Sequence, residues 1–376
     1  MAFSVYRKTR SVRVTVQTPD GDKVVVENLR NDNGFRVSFD CVRAMTADPA
    51  ECVVRMVNLP PDLLGVLDAA QATRVDDLDA LLVGKNLQSA VVASDGSDAL
   101  AAGFLVVEVE AGFDGVMSRV FRAIGARASS AMDGDDVTLI TTISATENLD
   151  GAVLGMPSAS FGVGTPLFEV LDYLRRVAGL GPGNLSPETV AALIGESRLD
   201  SPYHVSGGQA LARITSALAG VPARWFVDDR EIWLCAKDAL PSPTGAVPWI
   251  ADGAPEELEP LLGRPAKMDG GQVSVTCLLC PRVRPGRLVR LTPAGLALAA
   301  QGLSPSRAQV TRAQVAPGIY RCEEVRHTGT TGAGDFASTM RLRSITVGTV
   351  GLILSDAMRL LLDLGLAPAD AADVGL

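Results

Sequence analysis

From Ser11 to about Ser144 apolar and polar positions alternate with period two, the pattern of strands that bury one face. Val12, Val14 and Val16 alternate with Arg13, Thr15 and Gln17, and Pro19-Asp20-Gly21-Asp22 supplies turn chemistry before Val24-Val25-Val26, which predicts an opening hairpin. Phe35, Val37, Phe39 and Cys41 fall on one face of the next strand, with Arg36, Ser38 and Asp40 on the other. Cys52–Leu59 predicts a further strand, closed by Pro60-Pro61, and residues 61–83 a helical or irregular insertion. Val91–Ser94, Leu105–Ala111, Arg119–Ala126 and Val137–Ser144 each return to strand character. Many short strands with few helices predict a barrel or sandwich.

Near Asp150 the period changes to that of a helix. Thr165 is placed as an N-cap and Pro166 as a first helical residue, and Leu167, Val170, Leu171 and Leu174 recur at helical spacing before Gly179. Gly207–Ala219 repeats the design with Ala210, Ile214 and Ala217. Trp225-Phe226-Val227, a turn at Asp228-Asp229 and Ile232-Trp233-Leu234 then predict a hairpin, completing a small α+β module. A proline-rich connector, Leu240–Pro265, leads to a second strand-rich region from Gln272 to Ile345. The last segment, Leu352–Leu364, predicts a helix with an apolar stripe of Ile353, Ala357, Leu360, Leu361 and Leu364 that needs cover, expected from a neighbouring subunit or partner, with packing on its own chain as the alternative.

The two strand-rich regions share an internal echo. Val37-Ser38-Phe39-Asp40-Cys41 and Val273-Ser274-Val275-Thr276-Cys277 alternate alike, and Pro49 and Pro285 each follow the cysteine at the same distance. Each proline precedes another strand, Val53-Val54-Arg55-Met56 and Leu288-Val289-Arg290-Leu291. A true repeat would mean two copies of one barrel in the chain.

Composition narrows the function. The 376 residues are 47% hydrophobic and 20% charged, which excludes collagen-like, disordered and coiled-coil classes. A net charge of −9 argues against wrapping around nucleic acid by phosphate neutralisation. Six cysteines without a regular frame and two histidines far apart, His204 and His327, give no metal or disulfide framework, so reduced thiols are expected. Arg7, Lys8 and Arg10 are followed by no apolar leader segment, and no stretch is long and apolar enough for a membrane span, so a soluble protein made in a cytoplasm is expected.

No catalytic, cofactor-binding or metal-ligating residues emerge. Cys277-Leu278-Leu279-Cys280 lies in an alternating strand, where positions three apart point to opposite faces, and lacks a second half-site; a reduced, metal-free structural role is expected. Gly329–Gly334 lacks the lysine of a phosphate loop and runs between strands, which predicts a hairpin loop. Glu108 with Glu110, and the cluster Asp133, Asp135 and Asp136, read as solvated charge rather than as a glycosidase pair. His204 and His327 have no partner at nucleophile spacing.

The order of features resembles that of phage tail baseplate hub proteins, the late-control-protein-D type. An Asn-Leu-Pro exit at Asn58-Leu59-Pro60, then Val109–Gly115, Val120–Ile124 and the turn Asp133–Asp136 before Val137–Ile140 look like that family's N-terminal barrel. Phe161–Leu180, Gly207–Leu234, Val273–Leu291 and the closing run Gly318–His327 with its glycine loop follow the same succession, over about residues 10–346. Cys280, where the family commonly has a polar residue, and the displaced Gly334-Asp335 depart from it.

The resemblance implies an α+β, mainly β fold: two tail-tube-like β-barrel domains (residues 1–145 and 266–348), an inserted α+β module (146–240), a connector (241–265) and a C-terminal helix and tail (349–376). It further implies a non-enzymatic homotrimer without cofactors that joins a hexameric tail tube, or a distal tail protein, to a central spike and other baseplate proteins. Such a particle assembles in the host cytoplasm and passes DNA only in transit. Three copies would carry a formal charge of about −27, so acidic residues are expected to outnumber basic ones along an axial channel. The alternatives are a tail-associated peptidoglycan hydrolase, and a tail tube or adaptor protein, for which one barrel suffices.

Overall fold

The computed structural model describes residues 9–18, 21–28, 36–67, 105–132, 138–147, 157–195, 197–207, 209–221, 223–236, 255–258, 260–262, 265–268, 271–293, 295–296, 315–332 and 334–344. The strand expected at residues 91–94, the Asp133–Asp136 turn, most of the connector and the helix of residues 352–364 lie outside them.

Alternation in the first region becomes seven strands: β1 (Arg10–Gln17), β2 (Lys23–Asn28), β3 (Arg36–Ala44), β4 (Glu51–Val57), β5 (Leu105–Phe113), β6 (Val116–Met132) and β7 (Leu139–Thr146). The middle region holds β8 (Ser158–Phe161), helix α1 (Leu167–Val177), helix α2 (Pro187–Ile194), β9 (Tyr203–Ser206), helix α3 (Ala210–Ala217), β10 (Ala223–Asp228) and β11 (Glu231–Ala236). The last region holds β12 (Glu256–Glu257), β13 (Ala266–Lys267), β14 (Gln272–Leu278), β15 (Leu288–Leu291), β16 (Gly318–Thr330) and β17 (Phe336–Ser344). The fold is α+β and mainly β, as expected.

The first and last regions contribute to a single sheet, whose order along its main path is β13-β14-β17-β16-β3-β4-β7-β6-β5-β1-β2. Within that sheet, with β15 branching from β16 beside the main path, one arrangement occurs twice. β3-β4-β7-β6-β5 are neighbours in the first region, all antiparallel, and β13-β14-β17-β16-β15 are neighbours in the second, also all antiparallel. The counterpart of β14 is therefore β4. The sequence echo had matched β14 with β3, one strand away, because alternating Val/Ser/Cys strands look alike whatever their place in a sheet.

β16 is the seam. The edge of it that faces away from β17 pairs with β15 at its start, from Gly318 to Arg321, and with β3 further on, from Glu324 to Thr330. The path is open, yet the first region curls: Val12, Val14 and Val16 of β1 share a core with Val37, Phe39 and Cys41 of β3, five places away. Leu279 and Phe336 of the second region close that core, and Phe336 packs edge-on against Phe39 and Phe113. At Gly329 a Cβ would run into the Phe39 ring, so only glycine lets β16 approach β3 there.

The module has its own core, with Leu167, Val170, Leu171 and Leu174 of α1 against Ala210, Leu211 and Ile214 of α3 and Trp225, Val227, Ile232 and Leu234 of the hairpin. Pro166 is the N-cap of α1 and not its first residue, and Thr165 instead donates its hydroxyl to the Gly162 carbonyl at 2.8 Å. α2, which the sequence pattern did not single out, is capped by Ser186, whose Oγ accepts from the Thr189 N–H at 3.1 Å.

Candidate functional site: an ionic joint between the sheet and the module

The β10–β11 turn has two central residues, Asp229 and Arg230, at φ 52° and 62°. Positive φ at both is the backbone of a type I′ hairpin, which usually takes Asn or Gly. Here two charged residues bear that conformation. The turn is driven into the sheet, and each side chain has work to do there.

Arg43, on the apolar side of β3, is 1% exposed. Its Nη1 meets Asp228 Oδ1 at 2.5 Å, both terminal nitrogens lie 3.4 Å from Asp229 Oδ1, and its guanidinium carbon sits 5.4 Å from the centre of the Phe121 ring. Arg119 of β6 reaches Asp229 Oδ2 at 2.8 Å, and Arg284, ahead of β15, pairs with the same oxygen and with Asp228 Oδ2 at 3.5 Å. Burial opposes charge on Asp229, but Arg43 and Arg284 outweigh it and hold its carboxyl at about 2. Burial likewise opposes charge on Arg43, and Asp228, Glu147 and Asp229 raise its pKa above the usual arginine value. Glu147, one residue beyond β7 and 0% exposed, accepts the Arg230 backbone N–H at 2.7 Å. Arg230 Nη2 in turn donates to the Gly179 carbonyl at the end of α1, at 3.2 Å.

A second cluster lies alongside. The β16–β17 register slips between Cys322 and Glu324, and this bulge turns Glu323 inward. Arg321 at 2.7 Å, Arg343 at 2.9 Å and Arg224 of β10 at 3.2 Å surround Glu323 Oε1, while Gln272 Nε2 donates to Oε2 at 2.6 Å. Burial works against the charged form of Glu323, but these donors lower its pKa overall. Both clusters tie the module's hairpin to the sheet. Phe226, Asp228, Asp229, Glu231, Trp233, Arg284 and Arg287, with Pro285 and Gly286, line a cleft of about 270 Å³ at this joint. The guanidinium groups already engage both aspartates of the cleft, so neither stands free as an acid or base.

The residues weighed from sequence fall elsewhere. Glu110 pairs with Arg13 at 3.0 Å on the outside of the sheet, and Arg13 also meets Glu27 at 2.6 Å. A hairpin loop joins β16 and β17, as expected, but it begins after Thr330, since Gly329 and Thr330 still belong to β16; the carbonyls of Thr330, Gly332 and Gly334 accept from Arg10 Nη1 at 3.3, 3.0 and 2.8 Å. Such a ring of acceptors suits a cation and not a phosphate. His204 is exposed on β9, 2.9 Å from Ser160 Oγ. His327 lies within β16, which runs on to Thr330; it is 1% exposed, with Nδ1 2.8 Å from Ser338 Oγ and Nε2 3.2 Å from the Val283 carbonyl.

Two cysteine expectations change. β14 ends at Leu278, so Cys280 lies beyond the strand and packs, with Cys277, against one core instead of on the opposite face. Both are free thiols, and burial pushes each pKa up, which makes them inert. The expectation of wholly reduced cysteines fails at Cys41 and Cys52, which form a disulfide. They face one another in the β3–β4 register, a juxtaposition set by pairing that spacing alone does not display. Unfolding the protein without reductant should expose four thiols, Cys235, Cys277, Cys280 and Cys322, and reduction should raise the count to six. Six before reduction would show the Cys41–Cys52 pair to be open.

Arg43 was the legible clue to the joint. Period two puts it on the face of Val37, Phe39 and Cys41, and a charge in such a register implies a buried partner. Nothing in the sequence names Asp228, Asp229 or Glu147 as that partner. Among the described residues no group of three or more histidines, cysteines and carboxylates is placed to hold a metal ion, and no helix is long and apolar enough to cross a membrane.

No family model and no curated protein matches the chain. Solved structures do. A 43 kDa tail protein of prophage MuSo2 from Shewanella oneidensis is similar with 7% identity and a TM-score of 0.48, over 88% of this chain and 96% of that one. A tail protein from Neisseria meningitidis is similar with 9% identity and a TM-score of 0.43, over 89% and 96%. The E. coli c3393 protein, a type VI secretion component described as similar to the T4 tail proteins gp27 and gp5, has 9% identity and a TM-score of 0.44, over 84% and 76%. These neighbours are proteins of phage tails and of a secretion system with tail-like parts; with no identity above 9% and no TM-score above 0.48, none fixes a role for this chain.

Proposed function

We propose that this chain is a structural hub of a phage tail or a related contractile particle, a homotrimer that joins a hexameric tail tube to the central spike. The observation that carries the reading is the five-strand path that occurs twice in one sheet, β3-β4-β7-β6-β5 and β13-β14-β17-β16-β15. Three chains with two like units each present six similar units around an axis, the number a sixfold tube requires of a threefold partner. The pinned module and the engaged aspartates of the cleft support a non-enzymatic part. In this reading residues 1–145 and 266–348 are the two tube-like domains, residues 146–240 the inserted module, and the tail tube or distal tail protein, the spike and other baseplate proteins the partners. The site of action is the virion, and DNA touches the protein only in transit.

Mass measurement in solution with axial imaging tests this. A particle of three 39.2 kDa chains with six lobes is expected. A six-chain ring would favour the tail tube reading, and a monomer that cleaves peptidoglycan would overturn the structural one. The acidic composition adds a condition: the trimer should not retain double-stranded DNA at physiological salt, because a channel that binds phosphates would hold what it must pass.

A further inference from the structure

The joint contains a group that none of this explains. Glu147 stands where the chain leaves the first region for the module, its own N–H bonded to the Ala50 carbonyl at 2.8 Å. It is wholly buried, one carboxyl oxygen takes the Arg230 N–H, and the other has no hydrogen-bond partner among the described residues. A buried carboxylate oxygen left empty is costly, whereas a proton on it removes the charge that demands a partner.

Its surroundings do not settle its charge by pairing. Arg43 faces it from β3, but both terminal nitrogens of that guanidinium are turned to Asp228 and Asp229, which face Glu147 as like charges from the hairpin, and its Nε makes no hydrogen bond among the described residues. Arg119 of β6 and Arg284 ahead of β15 are turned to Asp229, and the Arg230 guanidinium reaches the Gly179 carbonyl. Glu231 extends into the neighbouring cleft, and His327 of β16, close enough to feel Arg43, hydrogen bonds to Ser338 and Val283. The group that Glu147 holds is the strained residue of the turn: Arg230 sits at φ 62°, a conformation non-glycine residues seldom keep without an external hold.

We propose that Glu147 is a proton-operated latch: protonated, it seats the β10–β11 turn on the sheet, and ionised, it favours release of the inserted module from that seat. Burial raises its carboxyl to about 7, with Asp228 and Asp229 adding to the rise and Arg43 and the Arg230 N–H opposing it. A carboxyl that opens to water recovers its ordinary value near 4.5, so each step of ionisation favours the open joint. The latch is a property of the joint and stands apart from the tail-hub reading.

Hydrogen exchange of the whole chain across pH tests it, read at the amides of β10, the turn and β11 and corrected for the intrinsic pH dependence of exchange. Between pH 5.5 and 8 the protection of these amides should fall about tenfold or more in the natural protein. Glu147→Gln keeps an acceptor for the Arg230 N–H and cannot ionise, so its corrected protection should stay constant within about twofold. Equal pH dependence in both proteins, or none in the natural one, would overturn the proposal. Should the variant fail to fold, the infrared carboxyl band of the natural protein decides: a protonated buried carboxyl that disappears between pH 6 and 8 supports the latch, and its absence at pH 5.5 refutes it.

Discussion

Replacing Arg43 with methionine should cost about 3–5 kcal/mol of stability, the penalty typical of removing one partner from a buried ion pair. Methionine fills much the same volume and keeps contact with Phe121, so the loss isolates charge from packing. What remains is Asp228, Asp229 and Glu147 at one joint, with Arg119 and Arg284 reaching the aspartates from its rim. Lysine should restore only part of the loss, because one ammonium cannot reproduce the fork that meets Asp228 and Asp229 together. Urea unfolding of the full chain at pH 7 measures both variants, with fluorescence of Trp225 and Trp233 reporting the hairpin. A change under about 1 kcal/mol for Arg43→Met would mean that water reaches the joint and screens it.

That expectation also marks where sequence reading stops. Alternation located the strands because each buries one face: Val12, Val14 and Val16 or Val273, Val275 and Cys277 are buried as their period demands. The hairpin was legible from its flanking aromatic and aliphatic runs, although its turn falls at Asp229-Arg230 and not at Asp228-Asp229, because Asp228 still pairs with Glu231, and α1 was legible from the spacing of Leu167, Val170, Leu171 and Leu174. Long-range pairing was not. β3 and β16 are joined across nearly three hundred positions, and neither carries a local mark of the other, because strand pairing is chosen by burial summed over the whole sheet. The joint inherits that blindness: Arg43, Glu147, Asp229 and Arg284 come from four separate stretches, and although the register of Arg43 implies a buried partner, Glu147, Asp229 and Arg284 each read alone as an ordinary charged residue. Glu323 was hidden for a different reason. Period two would send it outward beside Cys322, and only the bulge turns it in.

Acidification should unfold the protein in a manner set by His327. In the folded state burial, and next the nearby charge of Arg43, hold the imidazole down at about 3, so it stays neutral between the Ser338 hydroxyl and the Val283 carbonyl. In the unfolded chain it takes up a proton below its ordinary value of 6.5. Between those limits the unfolded state binds the additional proton, so stability is present above pH 6.5 and is lost as pH falls toward 3, a total on the order of 4 kcal/mol. Glu147 acts in the opposite sense over part of that range, since its folded value of about 7 lies above its unfolded 4.5 and protonation on the way down favours the folded state. The two offset one another from about pH 6.5 to 4.5 and give a shallow profile there. Below that, Glu147 has nothing further to gain, His327 continues to destabilise, and Asp229 adds to the loss as pH falls from 3.8 toward its folded value of about 2. A gentle slope followed by a steep one near pH 4 is therefore expected in urea midpoints measured from pH 8 to 3. In His327→Gln the imidazole term disappears: the variant should be less stable than the natural protein at pH 7 through the lost packing and hydrogen bonds, and the gap should close as pH falls toward 3.5. Parallel curves for the two proteins over that range would show that His327 is reached by solvent and titrates alike in both states.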